Sequence, residues 1–479
     1  MNQVTLRIPA QLMQDLQNHL FPGDQDEHGA VLGVGISETK RGTRLLAKKL
    51  ILARDGIDYV AGERGYRMLT PDFVRDSVLE CENDGLGYLA VHCHGGEDSV
   101  GFSSDDLRSH DRGYAALQDI LADLPVGGLV FASNAVAGDI WLASGRRVEL
   151  SSARVIGQPI QNLYPRPQPG PVSDPDFDRQ TRIFGDRGQA ILKGQKVGVI
   201  GAGGVGSLLV EYLSRLGVGE IVLIDPDHIE ATNLSRVVGS KRRDACTWLT
   251  SNRSPVWIQR IGERLAKPKV NIAQRVARQA NPKIQFTVVK EDVTRDKAAK
   301  QLIDCDYLFL AADSMQARVV FNALVHQYLI PGVQLGARVV AIDGDIEKVF
   351  SVIRPVLPGF GCLLCNGLIN ASQLQDEAIS EGERKRQRYV DDENVHAPSV
   401  ISLNAVAAAH GIDQYLFATT GLFQGNSDLR WSYYYPIETS ASDRVEQNIP
   451  VSDPACIDCG MAGYSRLAMG DAKRLPTRP

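Results

Sequence analysis

Three groups of residues in this 479-residue chain have types and spacings that can do chemistry. The first is His92-Cys93-His94, followed by Asp106. Two histidines at i and i+2 where a strand ends point to the same side. Two imidazoles and one carboxylate make the usual three-ligand set of a catalytic zinc site, with a fourth position left for water. Zinc brings the ionisation of its water close to neutral pH, and the released proton needs a nearby base. Glu27, at the entry to an apolar strand, is the candidate base. The competing reading is a polar surface loop with two incidental histidines.

The second group is Gly201-Ala202-Gly203-Gly204-Val205-Gly206, which holds a G-x-G-x-x-G spacing. It follows an apolar run, Val197 to Ile200, that reads as a buried parallel strand. It precedes helical periodicity from Leu208 to Leu216. Glycines there let the backbone turn tightly and approach a phosphate, with the helix N-terminus behind them supplying N–H groups and a positive dipole end. Glu220-Ile-Val-Leu-Ile-Asp225 is a second apolar run, ending in an acid where such folds bind a ribose hydroxyl. This is a nucleotide site. On the glycines alone, a dinucleotide-dependent oxidoreductase is the default reading.

The third group is Cys362-Leu-Leu-Cys365 with Cys456-Ile-Asp-Cys459. Two Cys-x-x-Cys pairs give a closed tetrahedral structural zinc site. The remaining cysteines are Cys81, Cys93, Cys246 and Cys305. Cys246 lies in a basic segment, where Arg242 and Arg243 could lower a thiol pKa, so it is the candidate nucleophile. The other three sit in apolar or strand contexts and read as core.

The elements that must position these groups alternate between strand and helix. Strands are expected at Val4–Ile8, Ala30–Gly35, Leu45–Ala53, Gly87–His92 and Gly127–Ser133, with helices at Pro9–Leu20, Pro71–Asn83 and Leu107–Asp123. Prolines then crowd residues 158–176 with little periodicity, which reads as a linker. Beyond it, a helix over Lys269–Asn281, a strand over Ile284–Val289, a buried strand over Tyr307–Ala312 and a helix over Gln316–Tyr328 continue a doubly wound pattern. Val333–Ile342 begins an antiparallel continuation, and Val237 to about Ile261 reads as an irregular basic insertion.

The bulk numbers agree with this outline. The length predicts two or three domains. Lys and Arg number 52 against 57 Asp and Glu, a net charge of −5, which speaks against a nucleic-acid protein. No apolar run reaches the roughly 18 residues of a membrane span, and the N-terminus lacks a signal-peptide pattern. A cytoplasmic protein with no membrane partner is expected.

Two family resemblances sharpen these readings. Glu27-His-Gly-Ala-Val-Leu32, His92, His94, Ser103 and Asp106 resemble the JAMM, or MPN-type, metalloprotease motif E…H-x-H-x7-S-x-x-D. Eight residues (95–102), not seven, separate His94 from Ser103, and Gly95 stands where the family usually has proline. The resemblance implies zinc on His92, His94 and Asp106, Glu27 as base, and Ser103 steadying the oxyanion. Members cleave isopeptide or peptide bonds after the tails of ubiquitin-like proteins.

Phe177-Asp-Arg-Gln-Thr-Arg-Ile-Phe-Gly-Asp-Arg-Gly-Gln189 resembles the lead-in segment of the ubiquitin-activating enzyme superfamily, including the ThiF/MoeB adenylyltransferases. The likeness continues through the glycine loop, Asp225, Asn233-Leu-Ser-Arg236, Lys269, Asn281-Pro282, Ala312-Asp313 and Arg318, over roughly residues 177–370. It implies attack of a C-terminal carboxylate on the α-phosphate of ATP, a step served by cationic clamping and Mg²⁺. By the same resemblance Asp225 holds the ribose, Asn233, Arg236 and Lys269 contact the triphosphate, and Asp313 holds Mg²⁺. Arg179 corresponds to an arginine often supplied across a homodimer interface. Members of this type also carry the paired Cys-x-x-Cys arrangement. Thioester-forming members need a further cysteine; residues 366–399 contain none, which leaves Cys246.

The expected architecture is α/β: a JAMM-type metallopeptidase domain over 1–155, a proline-rich linker over 156–176, and a Rossmann-like doubly wound adenylation domain with a four-Cys zinc site over 177–479. The expected activity is ATP-dependent adenylation of the C-terminal glycine of a ubiquitin-like protein, coupled to a zinc peptidase that processes or deconjugates it. Expected cofactors are ATP, Mg²⁺ and two Zn²⁺, one catalytic and one structural. Expected partners are a glycine-tailed ubiquitin-like or sulfur-carrier protein, a conjugating enzyme and a second copy of the chain. Three alternatives stay open: a sulfur-carrier activator, an NAD-dependent oxidoreductase, and a binding module with a degenerate His-x-His domain.

Overall fold

A computed structural model of the chain describes residues 3–24, 26–60, 67–251, 254–342, 345–378, 399–423, 429–436 and 444–479. The chain divides into two compact units. The first comprises Met1–Gly170 with His326–Leu329 and Asp453–Arg474, and the second Pro171–Val325, Ile330–Ser452 and Leu475–Pro479.

The first unit opens with β1 (Gln3–Pro9), α1 (Ala10–Leu20), β2 (Gly29–Thr39), β3 (Gly42–Leu52) and α2 (Pro71–Asn83). It continues with β4 (Gly87–Cys93), α3 (Ser104–Ile120), β5 (Val126–Phe131), β6 (Val136–Trp141), β7 (Arg147–Ile156) and β8 (Gln161–Leu163). The sheet runs β1-β3-β2-β4-β5-β6-β7-β8, and β1 also pairs with β7, so seven strands close into a ring. One face packs on α1, whose Leu12, Met13, Leu16 and Leu20 recur at helical spacing and join the buried cluster of Leu6, Leu32, Leu89 and Phe131. The opposite face carries α2 and α3 through Phe73, Val78, Cys81 and Tyr114. Closure of the ring depends on β6 and β7, which the sequence reading does not anticipate. β8 falls inside the proline-rich stretch and pairs with β7.

The second unit contains α4 (Asp178–Gly194), β9 (Lys196–Ile200), α5 (Gly204–Arg215), β10 (Glu220–Ile224), α6 (Val256–Leu265), α7 (Lys269–Ala280), β11 (Gln285–Val289), α8 (Asp296–Lys300) and β12 (Tyr307–Leu310). It continues with α9 (Met315–Gln327), β13 (Gly332–Ile342), β14 (Asp345–Val356), α10 (Ala371–Ala378), α11 (Ile401–Thr420), β15 (Trp431–Tyr435) and β16 (Arg444–Asn448). The sheet order is β11-β10-β9-β12-β13-β14-β15-β16. The first five strands run parallel and the last three are added antiparallel. Strand β9 has β10 on one side and β12 on the other. The strand order therefore reverses at β9, and a ligand crevice forms at the carboxyl ends on either side of such a switch point.

Helix α11 packs against α4, α5, β13 and β14 and is lined by Ala407, Ala408, Gly411 and Tyr415. The segment expected to be irregular, Val237 to about Ile261, contains the first turns of α6; Trp257, Ile261 and Leu265 are exposed along that helix. Helix α3 begins three residues before the expected Leu107, because Ser103 caps it. Of the polar stretch between Asn366 and Ser399, α10 is described, and the charged run Glu381–Arg388 lies outside the described residues. No helix among the described residues is long and apolar enough to cross a membrane.

Candidate functional site

In the first unit the register of β2 on β4 does the positioning. Gly29 lies opposite His92 in this antiparallel pair, so the residue two before Gly29 comes level with the residue two after His92. Glu27 Oε1 accordingly lies 3.7 Å from His94 Nε2. Asp106 arrives from α3, its Oδ2 at 3.6 Å from His92 Nε2 and 3.5 Å from His94 Nε2. One ligand atom from each of His92, His94 and Asp106 falls within 4.8 Å of the others. His94 Nδ1 is 3.1 Å from the carbonyl of Gly101, which sets the ring orientation. Among the described residues, His92 Nε2 is buried without a hydrogen-bond partner. A buried orphan nitrogen facing a carboxylate just beyond hydrogen-bond distance, beside a second imidazole, fits a metal bound between them.

Ser103 and Asp106 form a capping box: Ser103 Oγ and N both donate to Asp106 Oδ2 at 2.7 Å, and Asp106 N donates to Ser103 Oγ at 3.1 Å. Ser103 and Asp106, the pair that the resemblance implies, thus coincide with a helix start. Burial pushes the Asp106 carboxyl up, but the nearby His92 imidazole and the hydrogen bonds from Ser103 outweigh it and hold the group well below the usual range. Burial raises Glu27, opposed by the charges of His94 and His92, which suits a carboxylate that takes up a proton.

In the second unit the loop between β9 and α5 lies at the switch point. Gly201 has φ +98°, and a Cβ there would lie 2.9 Å from the carbonyl oxygen of Ala311. A Cβ on Gly206 would sit 1.8 Å from the carbonyl oxygen of Gly201. Gly203 is the N-cap of α5 and faces open space, with no side chain capping the helix. Asp225, at the end of β10, is buried; its Oδ2 accepts from Ala202 N at 2.6 Å and its Oδ1 from Asp227 N at 2.8 Å. Burial raises its pKa against these hydrogen bonds. Lys269 opens α7, its Nζ 2.8 Å from Asp227 Oδ2. Asn233 is buried, its Oδ1 unpartnered among the described residues, and Arg236 donates to the carbonyl of Thr232 at 3.4 Å. Asp313 follows β12 and is exposed; Arg318, on α9, has a buried Nε without a partner among the described residues, while its Nη1 donates to Leu368 O at 3.0 Å. Arg179 is exposed on α4.

Cys246 is 6% exposed and has φ +47°. Its neighbour Asp244 is paired with Arg275, and Ala245 packs with Ala266 and Ile272. A thiol so placed needs local opening before it can meet an acyl group. Cys362 Sγ and Cys365 Sγ are 3.5 Å apart, and Cys365 N donates to Cys362 Sγ. Cys456 and Cys459 are likewise spaced as a Cys-x-x-Cys pair and buried, and pairs of this kind supply the thiolates of tetrahedral zinc sites.

The sequence reading passes over one residue beside the glycine loop. Asn404 of α11 comes so close to Gly204 that a Cβ on that glycine would meet its Nδ2 at 2.2 Å. An asparagine in the mostly apolar first half of that helix, residues 401–409, is the signal it left.

A doubly wound sheet with a glycine loop and a buried acid at its switch point defines a nucleotide-binding protein. The chain belongs to the ThiF family, whose model matches residues 177–417, just over half of its length. It is similar to the tRNA threonylcarbamoyladenosine dehydratase of Escherichia coli, at 32% identity over 38% of this chain and 60% of that protein. The SAMP-activating enzyme E1 of Haloferax volcanii is 26% identical over 38% of this chain and 56% of its own length. The sulfur carrier protein ThiS adenylyltransferase of Bacillus subtilis is 28% identical over 38% of this chain and 47% of its own. The match thus spans about half to three-fifths of these relatives' lengths.

Proposed function

We propose that this chain activates the C-terminal glycine of a ubiquitin-like or sulfur-carrier protein as an acyl-adenylate, and that its first unit is a JAMM-type zinc peptidase acting on the same tail. The observation that carries the first half is the grouping at one switch point of a glycine loop, a buried acid and the Asn233–Arg236 and Lys269 segments, in a ThiF-family chain. In this reading Asp225 binds the ribose, and the N-terminus of α5 with Asn233, Arg236 and Lys269 holds the triphosphate. Asp313 would hold Mg²⁺, which supplies charge neutralisation at the phosphates. Arg179 completes the site from the second copy of a homodimer. The tail carboxylate attacks the α-phosphorus, the bond to the bridging oxygen breaks, and pyrophosphate leaves. A thiol of a separate conjugating enzyme, or that of Cys246 after local opening, then attacks the acyl carbon and AMP leaves; in the sulfur-carrier case the sulfur of a donor makes that attack and displaces AMP.

In the first unit His92, His94 and Asp106 would hold zinc, which supplies Lewis acidity to the scissile carbonyl and to water. Glu27 takes the proton from the attacking water and passes it to the leaving amine. With Asp106 engaged by zinc, the Ser103 hydroxyl would turn its proton from Asp106 Oδ2 to steady the oxyanion. Zinc on the four cysteines is structural.

The test is ATP–pyrophosphate exchange with glycine-tailed partner proteins, on wild type and Asp313→Ala. Exchange that requires a partner and disappears in the variant supports the reading. Exchange driven by tRNA rather than by any such protein overturns it, and so does a zinc-loaded chain that binds ATP and exchanges with none. The product separates the two partner classes: a thiocarboxylate marks a sulfur carrier, and a protein–protein amide marks conjugation.

A further inference from the structure

Helix α11 buries a mostly apolar surface, yet its first turn carries Asn404, which is 3% exposed. A buried amide in such a helix is costly unless it meets polar partners. Among the described residues, one of its two N–H donors is used: Nδ2 donates to Ser399 Oγ at 3.1 Å. The same nitrogen lies 2.2 Å from where Gly204 would carry a Cβ, and Arg236 Cδ lies 3.5 Å from that point. Gly204 is the first residue of α5, whose N-cap, Gly203, provides no side-chain acceptor. The leading N–H groups of a helix have no acceptor within it. An amide donor, an arginine and an uncapped helix N-terminus therefore converge on one glycine, and all three present hydrogen-bond donors. The ligand that satisfies them together is an oxyanion.

We propose that Asn404 is a phosphate-binding residue of the nucleotide site, its second amide N–H donating to a phosphate oxygen beside the α5 N-terminus and Arg236. The proposal rests on the ATP reading given above. It also gives Gly204 a purpose of its own, since any side chain there would displace the amide. The bland alternative is that Asn404 only ties Ser399 to the start of α11.

The test compares Mg–ATP and adenosine binding by calorimetry on the full chain, for wild type, Asn404→Ala and Asn404→Asp. Losing a hydrogen bond to a charged group predicts a roughly ten- to hundredfold weaker Mg–ATP affinity for Asn404→Ala. Asn404→Asp keeps the shape but turns a donor into an anion, so it binds Mg–ATP more weakly still. Adenosine, which lacks phosphates, binds all three proteins within about twofold. Equal Mg–ATP affinities in the three proteins overturn the proposal. So does a parallel loss of both ligands, which is what a purely structural role produces. If Asn404→Ala does not fold, the near-isosteric Asn404→Asp carries the comparison alone. A wild-type chain that binds no ATP overturns the nucleotide reading as well, an outcome distinct from intact ATP binding that ignores residue 404.

Discussion

The glycines between β9 and α5 divide into one that the fold requires and one that the ligand requires. A methyl at Gly206 would lie 1.8 Å from the Gly201 carbonyl oxygen, a backbone atom, so no rotamer change relieves it. Either α5 or the loop must move by more than an ångström. Overpacking of this kind costs typically about 1–3 kcal/mol. A clash with backbone belongs at the upper end, and the roughly 1 kcal/mol that alanine gains over glycine in a helix offsets only part of it. Gly206→Ala is therefore expected to destabilise the second unit by about 2 kcal/mol, a fall of roughly 3 °C in Tm for a unit of this size. Gly203 has nothing within 4 Å of its Cβ position and φ −75°, which alanine adopts freely. Gly203→Ala is expected to cost at most about 1 kcal/mol, through its poorer N-cap, while weakening Mg–ATP binding at least tenfold by crowding the phosphates. Thermal melts and calorimetry on both variants separate the two roles. Unchanged melting in Gly206→Ala would refute the steric argument, and full-strength ATP binding by Gly203→Ala would refute the placing of the phosphates.

Further outcomes are expected elsewhere. Purified wild-type chain should carry two zinc ions by mass spectrometry of the metal, with His94→Ala and Cys459→Ser each losing one; a single zinc in wild type counts against the His-x-His site. Glu27→Gln should keep both zincs yet lower peptidase turnover on a glycine-tailed fusion by about 10²- to 10⁴-fold; an unchanged turnover removes Glu27 from the mechanism. Lys48 is buried, with Nζ donating to Ser465 O and Oγ, and burial lowers its pKa to about 8. An unfolded lysine titrates near 10.4. Between these values the unfolded chain binds more protons, so this group adds stability as pH rises from about 8 to about 10. Lys48→Met should flatten that part of the stability profile in denaturant titrations and stabilise the chain at pH 7; an unaltered profile contradicts the assignment.

The sequence by itself determined the short-range features. Val197–Ile200 and the glycines after it announce a strand, a turn and a helix, because periodicity and backbone freedom are written within a dozen residues. His92 and His94 share a side because a strand alternates. The tertiary structure decided whatever depends on register and on elements far apart in the chain. The pairing of Gly29 with His92 brings Glu27 to His94, and no local pattern specifies that pairing. Strand β7 closes the first sheet by pairing with the distant β1, and the short, mixed-polarity segments of β6 and β7 carry a weak period. The placing of β10 and β12 on opposite sides of β9, which creates the crevice, is a property of sheet order. Cys246 lies among charged neighbours in sequence, but its burial follows from the packing of Ala245 on Ala266 and Ile272. Asn404 comes to rest on Gly204 because the packing of α11 on α5 brings two distant segments together, a contact that spacing along the chain cannot express.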